Sequence, residues 1–381
     1  MKIAVDIRCL STGQTGIHRY VSTILSELQN IDAENEYFLV GKRPSPFRPA
    51  NARWKCVQTG AGIPGVLWTH TVLPLFLLRN RIEVLWAPEY VCPIVKFRGM
   101  RFVTTIYDFA YKRFPKSLRA KWQAVLSALV PFSVRLSDTI CVISDAIKRE
   151  LLSAVTGAQE SRIAVVYCGR PVWRVPPPGN ASARSDFLFF PGNLEPRKNL
   201  VNLLRALSLL REQGMRVPLH CAGPAGWKNR DLAQAITSGA LEDQVVFRGY
   251  LSEDELVHEY IKCKAVVFPS LYEGFGMPVV EGLAMDCIVL TSKNTVMEEI
   301  AGPCAVYFDP CNPQDIADAI RRVVTGEVDA KHLLINRDAR LSTFSWHESA
   351  RKMLAVLTGR EPASVKEIAR SQLSLAESKQ Q

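Results

Sequence analysis

Short apolar runs alternate with stretches of helical periodicity from one end of this 381-residue sequence to the other. No other feature constrains the fold as strongly, because strand, helix and strand in repeated order lead to parallel sheets with helices on their faces. In the first half, Ile3 to Ile7, Tyr37 to Val40, Val84 to Trp86, Phe102 to Ile106, Thr139 to Ile143 and Ile163 to Val166 read as strands. Between the first two, Ile17, Tyr20, Val21, Ile24, Leu25 and Leu28 recur at the spacing of one helix face. Ser144, between a strand and the stretch Ala146 to Ala154, suits a helix N-cap.

From Pro171 to Ser185, four prolines, a glycine and small polar residues interrupt both patterns and mark a linker. A second set of strands follows at Phe187 to Phe190, Leu219 to Ala222, Val245 to Phe247, Ala265 to Phe268, Ile288 to Leu290 and Ala305 to Phe308. Ser252 to Glu255 forms a capping box ahead of one of the intervening helices. The fold class is therefore α/β, with two domains at 1–170 and 186–343 joined by a linker at 171–185. The residues after 360 form a polar tail without a core partner.

Charge divides the chain at the same place. Residues 1–180 hold 24 Lys and Arg against 12 Asp and Glu, a net +12, whereas residues 181–381 hold 23 against 25, a net −2. A basic first half points to an anionic membrane surface or a lipid-diphosphate acceptor. Nucleic acid is the rival partner, and the absence of a recognisable nucleic-acid module or aromatic-basic stripe argues against it. Added solubility is the plainer account of the basicity. No apolar run is long enough to span a bilayer, since Val66 to Leu78 and Ala124 to Leu136 are short and interrupted. The first residues meet Asp6 at once and read as a strand, not a secretory signal. The ten cysteines show no C-x-x-C pair, and several lie in apolar strands, as expected of free buried thiols in a reducing cytoplasm.

Two segments carry chemistry. In Leu271 to Gly282, Glu273 and Glu281 flank a turn hinged at Gly274 and Gly276, with Phe275 between them and Met277 and Pro278 leading into a helix. Pro278 suits a first helical position, so the free N–H groups of that helix favour a negative ligand. In Phe187 to Leu200, a buried strand ends at Pro191, Gly192 and Asn193, and Arg197 with Lys198 follow just ahead of a helix. Arg and Lys at such a place suit a diphosphate, the one by forked hydrogen bonds and the other as a point charge. Taken singly, the plainer readings are a solvated Glu273, a Glu281 that answers the helix dipole, and two exposed cations of little consequence for stability.

Together, and in this order, the two segments resemble the Glu-x7-Glu signature and the phosphate-gripping segment of retaining glycosyltransferase family 4, whose members have the two-domain GT-B fold. The resemblance runs from the first strand to about Leu357 and implies two Rossmann-like domains facing across a cleft. It implies that Arg197 and Lys198 hold the donor diphosphate, that Glu281 takes ribose hydroxyls and that Glu273 faces the transferred sugar. Phe344 to Leu354 resembles the family's closing helix, which packs back across the first domain, and places it at 344–360. Gly13 to Tyr20 resembles a loop near donor phosphate and acceptor, which puts Gly16 with the donor and His18 beside substrate; a surface residue of the helix it begins is the equal reading of His18. Asp108, after a strand, matches a residue that helps to place the acceptor hydroxyl; an Asx turn is its plainer reading. Tyr107 stands where many members have His.

The same resemblance implies a cytoplasmic hexosyltransferase peripheral to the inner face of the plasma membrane. It would retain anomeric configuration and move a hexose, with GDP-mannose the first candidate donor and UDP- or dTDP-linked sugars behind it, to a lipid-linked or oligosaccharide acceptor in surface-polysaccharide assembly. No cofactor is expected beyond the sugar-nucleotide co-substrate, and no metal, since no D-x-D pair occurs. A noncatalytic GT-B-like scaffold or sugar-nucleotide-binding protein is the alternative. A glycosidase would need no phosphate grip.

Overall fold

A computed structural model describes residues 1–11, 15–115, 120–173, 184–223 and 230–360. Gly13 and Gln14 of the first loop, most of the linker and the tail lie outside the described residues. The first sheet contains β1 (Lys2–Asp6), β2 (Glu36–Gly41), β3 (Trp54–Gln58), β4 (Val84–Ala87), β5 (Arg101–Ile106), β6 (Thr139–Val142) and β7 (Ile163–Val165). Its order is β3-β2-β1-β4-β5-β6-β7, and every pairing is parallel. The second sheet, in the order β10-β9-β8-β11-β12-β13, is parallel throughout. Its strands are β8 (Leu188–Phe190), β9 (Leu219–Ala222), β10 (Val245–Gly249), β11 (Ala265–Phe268), β12 (Ile288–Ser292) and β13 (Val306–Phe308).

The apolar runs became strands with one addition. β3, Trp54–Gln58, is an edge strand whose middle residues face solvent, so it lacks the continuous apolar run of a central strand. Trp54 anchors it by stacking on Tyr37 of β2 with ring centroids 3.9 Å apart. All ten cysteines are free thiols, eight of them buried.

In both sheets the chain order reverses beside the first strand, between β1 and β4 and between β8 and β11. Parallel sheets leave a crevice at such a point, at the carboxyl ends of the strands. The loops after β1, β4 and β5 approach the cleft from one side, and those after β8 and β11 from the other.

Direct contacts join the two domains across that cleft. A Cβ on Gly274 would sit 2.0 Å from the Tyr107 carbonyl oxygen, so only glycine permits this approach of two backbones. Ser144 caps its own helix by accepting from the Ile147 N–H, and its hydroxyl also donates to the Gly274 carbonyl at 2.7 Å. Beside it, the Glu299 carboxylate accepts from the N–H groups of Asp145 and Ala146, both at 2.7 Å. An anion from the second domain thereby satisfies the first turn of a helix in the first. The last described helix, Trp346–Thr358, returns to lie against Gly16–Ile31, and Arg101 donates to its terminal carbonyls at Val356 and Leu357.

Candidate active site

The loop after β8 turns at Gly192, whose φ of +136° favours glycine, and winds into a short turn at Pro196–Lys198. Asn199 follows with φ +63° and starts the helix Leu200–Glu212. Its amide is spent on the carbonyls of Pro269 and Pro310, which ties the loop after β8 to the loop after β11. The loop after β11 passes through Ser270, Tyr272 and Glu273 to Gly276, at φ +104°, and enters the helix Met277–Ala284. Neither of these helices has a side-chain hydrogen bond at its N-cap. Ser144, Ser252, Thr295 and Asn312 supply one at the starts of other helices. Two helix starts without a side-chain cap, at neighbouring strand ends, leave N–H groups to an external anion.

Arg197 and Lys198 converge on the same carboxylate. Arg197 donates to Glu273 Oε2 at 2.8 Å and to Glu195, while Lys198 Nζ reaches Glu273 Oε1 at 2.6 Å. Ser270 donates to the same Oε1 at 2.7 Å. Burial alone would raise the Glu273 carboxyl, but the charges of Lys198 and Arg197 overcome it and hold the group down at about 2. These cations are therefore not the exposed pair of the plain sequence reading. Lys198 is only 8% exposed and lies over the Phe268 ring, and Glu273 sits between its partners with 11% of its side chain exposed, not solvated.

Glu281 is also buried. One oxygen accepts from Tyr260 Oη at 2.7 Å and the other from Arg19 of the first domain at 2.6 Å. Pro278 occupies the second helical position, after Met277, and Phe275 packs edge-on against Phe344. Gly16 is the first residue of its helix, under a Thr15 cap. Gly16, His18, Arg19, Tyr250 and Met277 line a cleft cavity of about 550 Å³. The Asn193 amide donates to Glu195 at 3.4 Å.

On the first-domain side, Asp108 accepts from Tyr90 Oη at 3.1 Å and from the Ala110 N–H at 3.0 Å, which is the Asx turn of the plain reading. Burial pushes its carboxyl up, against the pull of Arg197 across the cleft. Tyr107 does not present its hydroxyl to the cleft. The ring is buried edge-on between Tyr20 and Tyr90, and among the described residues its oxygen has no hydrogen-bond partner.

A second cavity of about 470 Å³ adjoins Glu273 between the domains, lined by Arg113, Arg149, Glu150, Tyr272 and Asn294. Tyr272 bridges the cleft there, accepting from the Phe109 N–H at 2.6 Å and donating to Glu150 at 2.8 Å. Sequence reasoning passed over Arg19, Tyr260, Ser270, Tyr272 and Glu299. Only Arg19, within the motif Gly13 to Tyr20 and on the first turn of the helix Gly16–Ile31, and Ser270 and Tyr272, beside Glu273, had a local signal. Among the described residues no group of three His, Cys, Asp or Glu side chains is placed to hold a metal ion.

Comparison with known proteins places this architecture. The whole chain superposes on the sucrose-phosphate synthase of Thermosynechococcus elongatus, with a TM-score of 0.72, 16% identity, and 98% of this chain and 99% of that one covered. This is the GT-B fold. Residues 174–340 match the family model of glycosyl transferases group 1. The serotype-specific mannosyltransferase WbdA of Escherichia coli is 34% identical over 172 residues, 44% of this chain and 21% of its own length. The O-antigen chain mannosyltransferase B of Escherichia coli is 31% identical over 161 residues, 42% of each chain. The match thus spans less than half the length of either relative.

Proposed function

We propose that this protein transfers a hexose from a sugar nucleotide to a saccharide acceptor, with retention of anomeric configuration, as a member of glycosyltransferase family 4. The observation that carries the reading is the convergence of Arg197 and Lys198 between two helix starts that have no side-chain cap. That arrangement fits a diphosphate. Until a donor arrives, Glu273 neutralises both cations, and the donor phosphates then share them. As the bond from the anomeric carbon to the diphosphate oxygen breaks, negative charge grows on the leaving group. Arg197, Lys198 and the helix N–H groups therefore favour the transition state over the ground state. The acceptor oxygen forms the new bond on the same face, and its proton passes to the departing phosphate. Glu273 lies where positive charge gathers on the sugar ring, and Glu281 takes the ribose. No metal is required in this scheme, because fixed cations supply the charge.

GDP-mannose is the proposed donor, in keeping with the names of the two Escherichia coli relatives. A lipid-linked or oligosaccharide acceptor of surface-polysaccharide assembly would lie against the first domain, near Asp108 and His18. The enzyme would then work in the cytoplasm, on the inner face of the plasma membrane. Thermal-shift screening of GDP-, UDP- and dTDP-sugars, followed by donor turnover, tests the proposal. Stabilisation by one sugar nucleotide with release of its nucleoside diphosphate supports it. Binding without turnover on any acceptor would favour the noncatalytic scaffold.

A further inference from the structure

The outer layer of the first domain is apolar where solvent meets it. The helices Gly65–His70 and Val72–Arg79 run almost as one, since the Thr71 N–H bonds to the Leu67 carbonyl and the Leu75 N–H to the Thr71 carbonyl. Their inner face is spent on the sheet, with Trp68, Leu73 and Leu77 fully buried against residues such as Phe38, Leu85 and Phe102. Leu67, Leu75 and Leu78 lie at helical spacing on the opposite face, exposed by 53, 52 and 52%. A helix apolar on both faces implies a second apolar neighbour, and among the described residues nothing covers this one.

The loop after β4 extends the patch. The Ile94 N–H donates to His70 Nδ1, the Cys92 N–H to Ser133 Oγ, and Lys96 Nζ to the Leu136 carbonyl. The loop is thereby stitched to this helix pair on one side and to the helix Ala120–Leu136 on the other. Ile94 and Val95 on the loop and Phe132 on the third helix are all about half exposed. One continuous outer surface therefore holds Leu67, Leu75, Leu78, Ile94, Val95 and Phe132, which is more than scattered exposure. Arg79, Arg81 and Arg98 are exposed along it and have no carboxylate partner among the described residues. The two acids of this stretch are engaged elsewhere, Glu83 with the Lys2 N–H and Glu89 beside Arg8.

We propose that this face, built from the helix pair 65–79, the loop 91–98 and the outer side of the helix 120–136, seats the protein on an anionic lipid bilayer. Leucine, isoleucine and phenylalanine side chains enter the boundary between headgroups and acyl chains, while arginines meet lipid phosphates. Charge selects this occupant, because the half of the chain that bears the patch carries the +12 surplus. Orientation agrees as well. Arg8, just beyond β1, donates to the Gly65 carbonyl, so the Leu67 end of the stripe lies at the carboxyl edge of the sheet, beside the cleft. A lipid-linked acceptor would reach the cleft from that end. This seat gives the proposed membrane association a place on the molecule, and it rests on the transferase reading only for the acceptor.

Cosedimentation of the full chain with phosphatidylcholine vesicles, with and without phosphatidylglycerol, tests it. Binding should require the anionic lipid and weaken with salt. Leu75→Gln with Leu78→Gln should lower partition about tenfold, and Arg79→Glu with Arg98→Glu should lower it about fivefold per charge removed. Melting temperature and sugar-nucleotide binding should not change in either variant. Wild-type binding by both variants, or equal binding to neutral vesicles, overturns the proposal. So does a dimer in sedimentation velocity that the Leu75→Gln, Leu78→Gln variant abolishes, since a second copy would then cover the face. Vesicle binding without any sugar-nucleotide binding would count against the transferase reading alone.

Discussion

The two domains share an architecture and differ in where their charge sits. In the second domain the positive groups that matter are local, Lys198 buried and Arg197 nearly so. Arg197 and Lys198 are adjacent, lie between two helix starts and share one carboxylate, within a half whose net charge is −2. In the first domain the surplus of +12 is spread over the surface, and the residues nearest the cleft are aromatic or already bonded. The proposed diphosphate would meet a compact preformed cluster. The proposed acceptor and lipid surface would meet distributed features with no short motif.

The sharpest way to break this comparison is to remove one cation from the cluster. Arg197→Ala and Lys198→Ala should each lower kcat/KM more than tenfold, as expected for charge-assisted bonds worth roughly 1.5–3 kcal/mol. They should also destabilise the protein by about 3–5 kcal/mol in urea unfolding, because each leaves Glu273 buried with one partner fewer. As exposed cations they would cost almost nothing, and a loss below about 0.5 kcal/mol would contradict the buried cluster.

Acid stability probes the same cluster. The Glu273 carboxyl is held at about 2 in the fold against 4.5 ordinarily. Its stabilising contribution is therefore complete above the ordinary value and is lost as the pH falls toward the folded one. The wild type should lose about 3 kcal/mol more than Glu273→Gln across that window. Parallel pH profiles in unfolding titrations would remove the ion cluster from the account.

Steady-state kinetics separates the two glutamates. Glu273→Gln should chiefly lower kcat, since a carboxylate beside the flattening sugar ring is worth more in the transition state. Glu281→Gln should chiefly raise the donor KM, since ribose contacts are made equally before and during bond cleavage. Arg19→Ala should follow Glu281→Gln, because Arg19 donates directly to that carboxylate. The reverse split would exchange the roles of the glutamates.

The smallest effect belongs to the first domain. Tyr107→Phe removes a buried hydroxyl that has no partner, so stability should change by less than about 1 kcal/mol, with a gain as easily as a loss. Turnover should stay within about twofold. A tenfold fall would restore Tyr107 to the sugar site.

Much of this was legible because it is local in sequence. All six expected strands of the second sheet formed, and Ser144 and the Ser252 capping box stand where side-chain chemistry put them. Gly192, Gly274 and Gly276 could be read as hinges because their neighbours ended a strand or began a helix. The partners of the glutamates were not legible, since Arg19 lies 262 residues from Glu281 and no periodicity links them. The burial of Lys198 was missed for a related reason. A lysine is ordinarily solvated, and only the fold brings Glu273, Ser270 and Phe268 around it. The fate of Tyr107 depends on Tyr20, from the helix Gly16–Ile31, and on Tyr90, from the loop after β4.

The central claim, that the loops after β8 and β11 hold a diphosphate, is tested most directly by titration calorimetry with nucleotides. GDP and GMP, or the UDP and dTDP pairs if the guanine nucleotides do not bind, should be compared on the wild type and on Arg197→Met with Lys198→Met. The account predicts that the wild type prefers the diphosphate at least about tenfold and that the preference vanishes in the double variant, as expected when two charge-assisted contacts are lost. An undiminished preference in a folded double variant would place the phosphates elsewhere and contradict it.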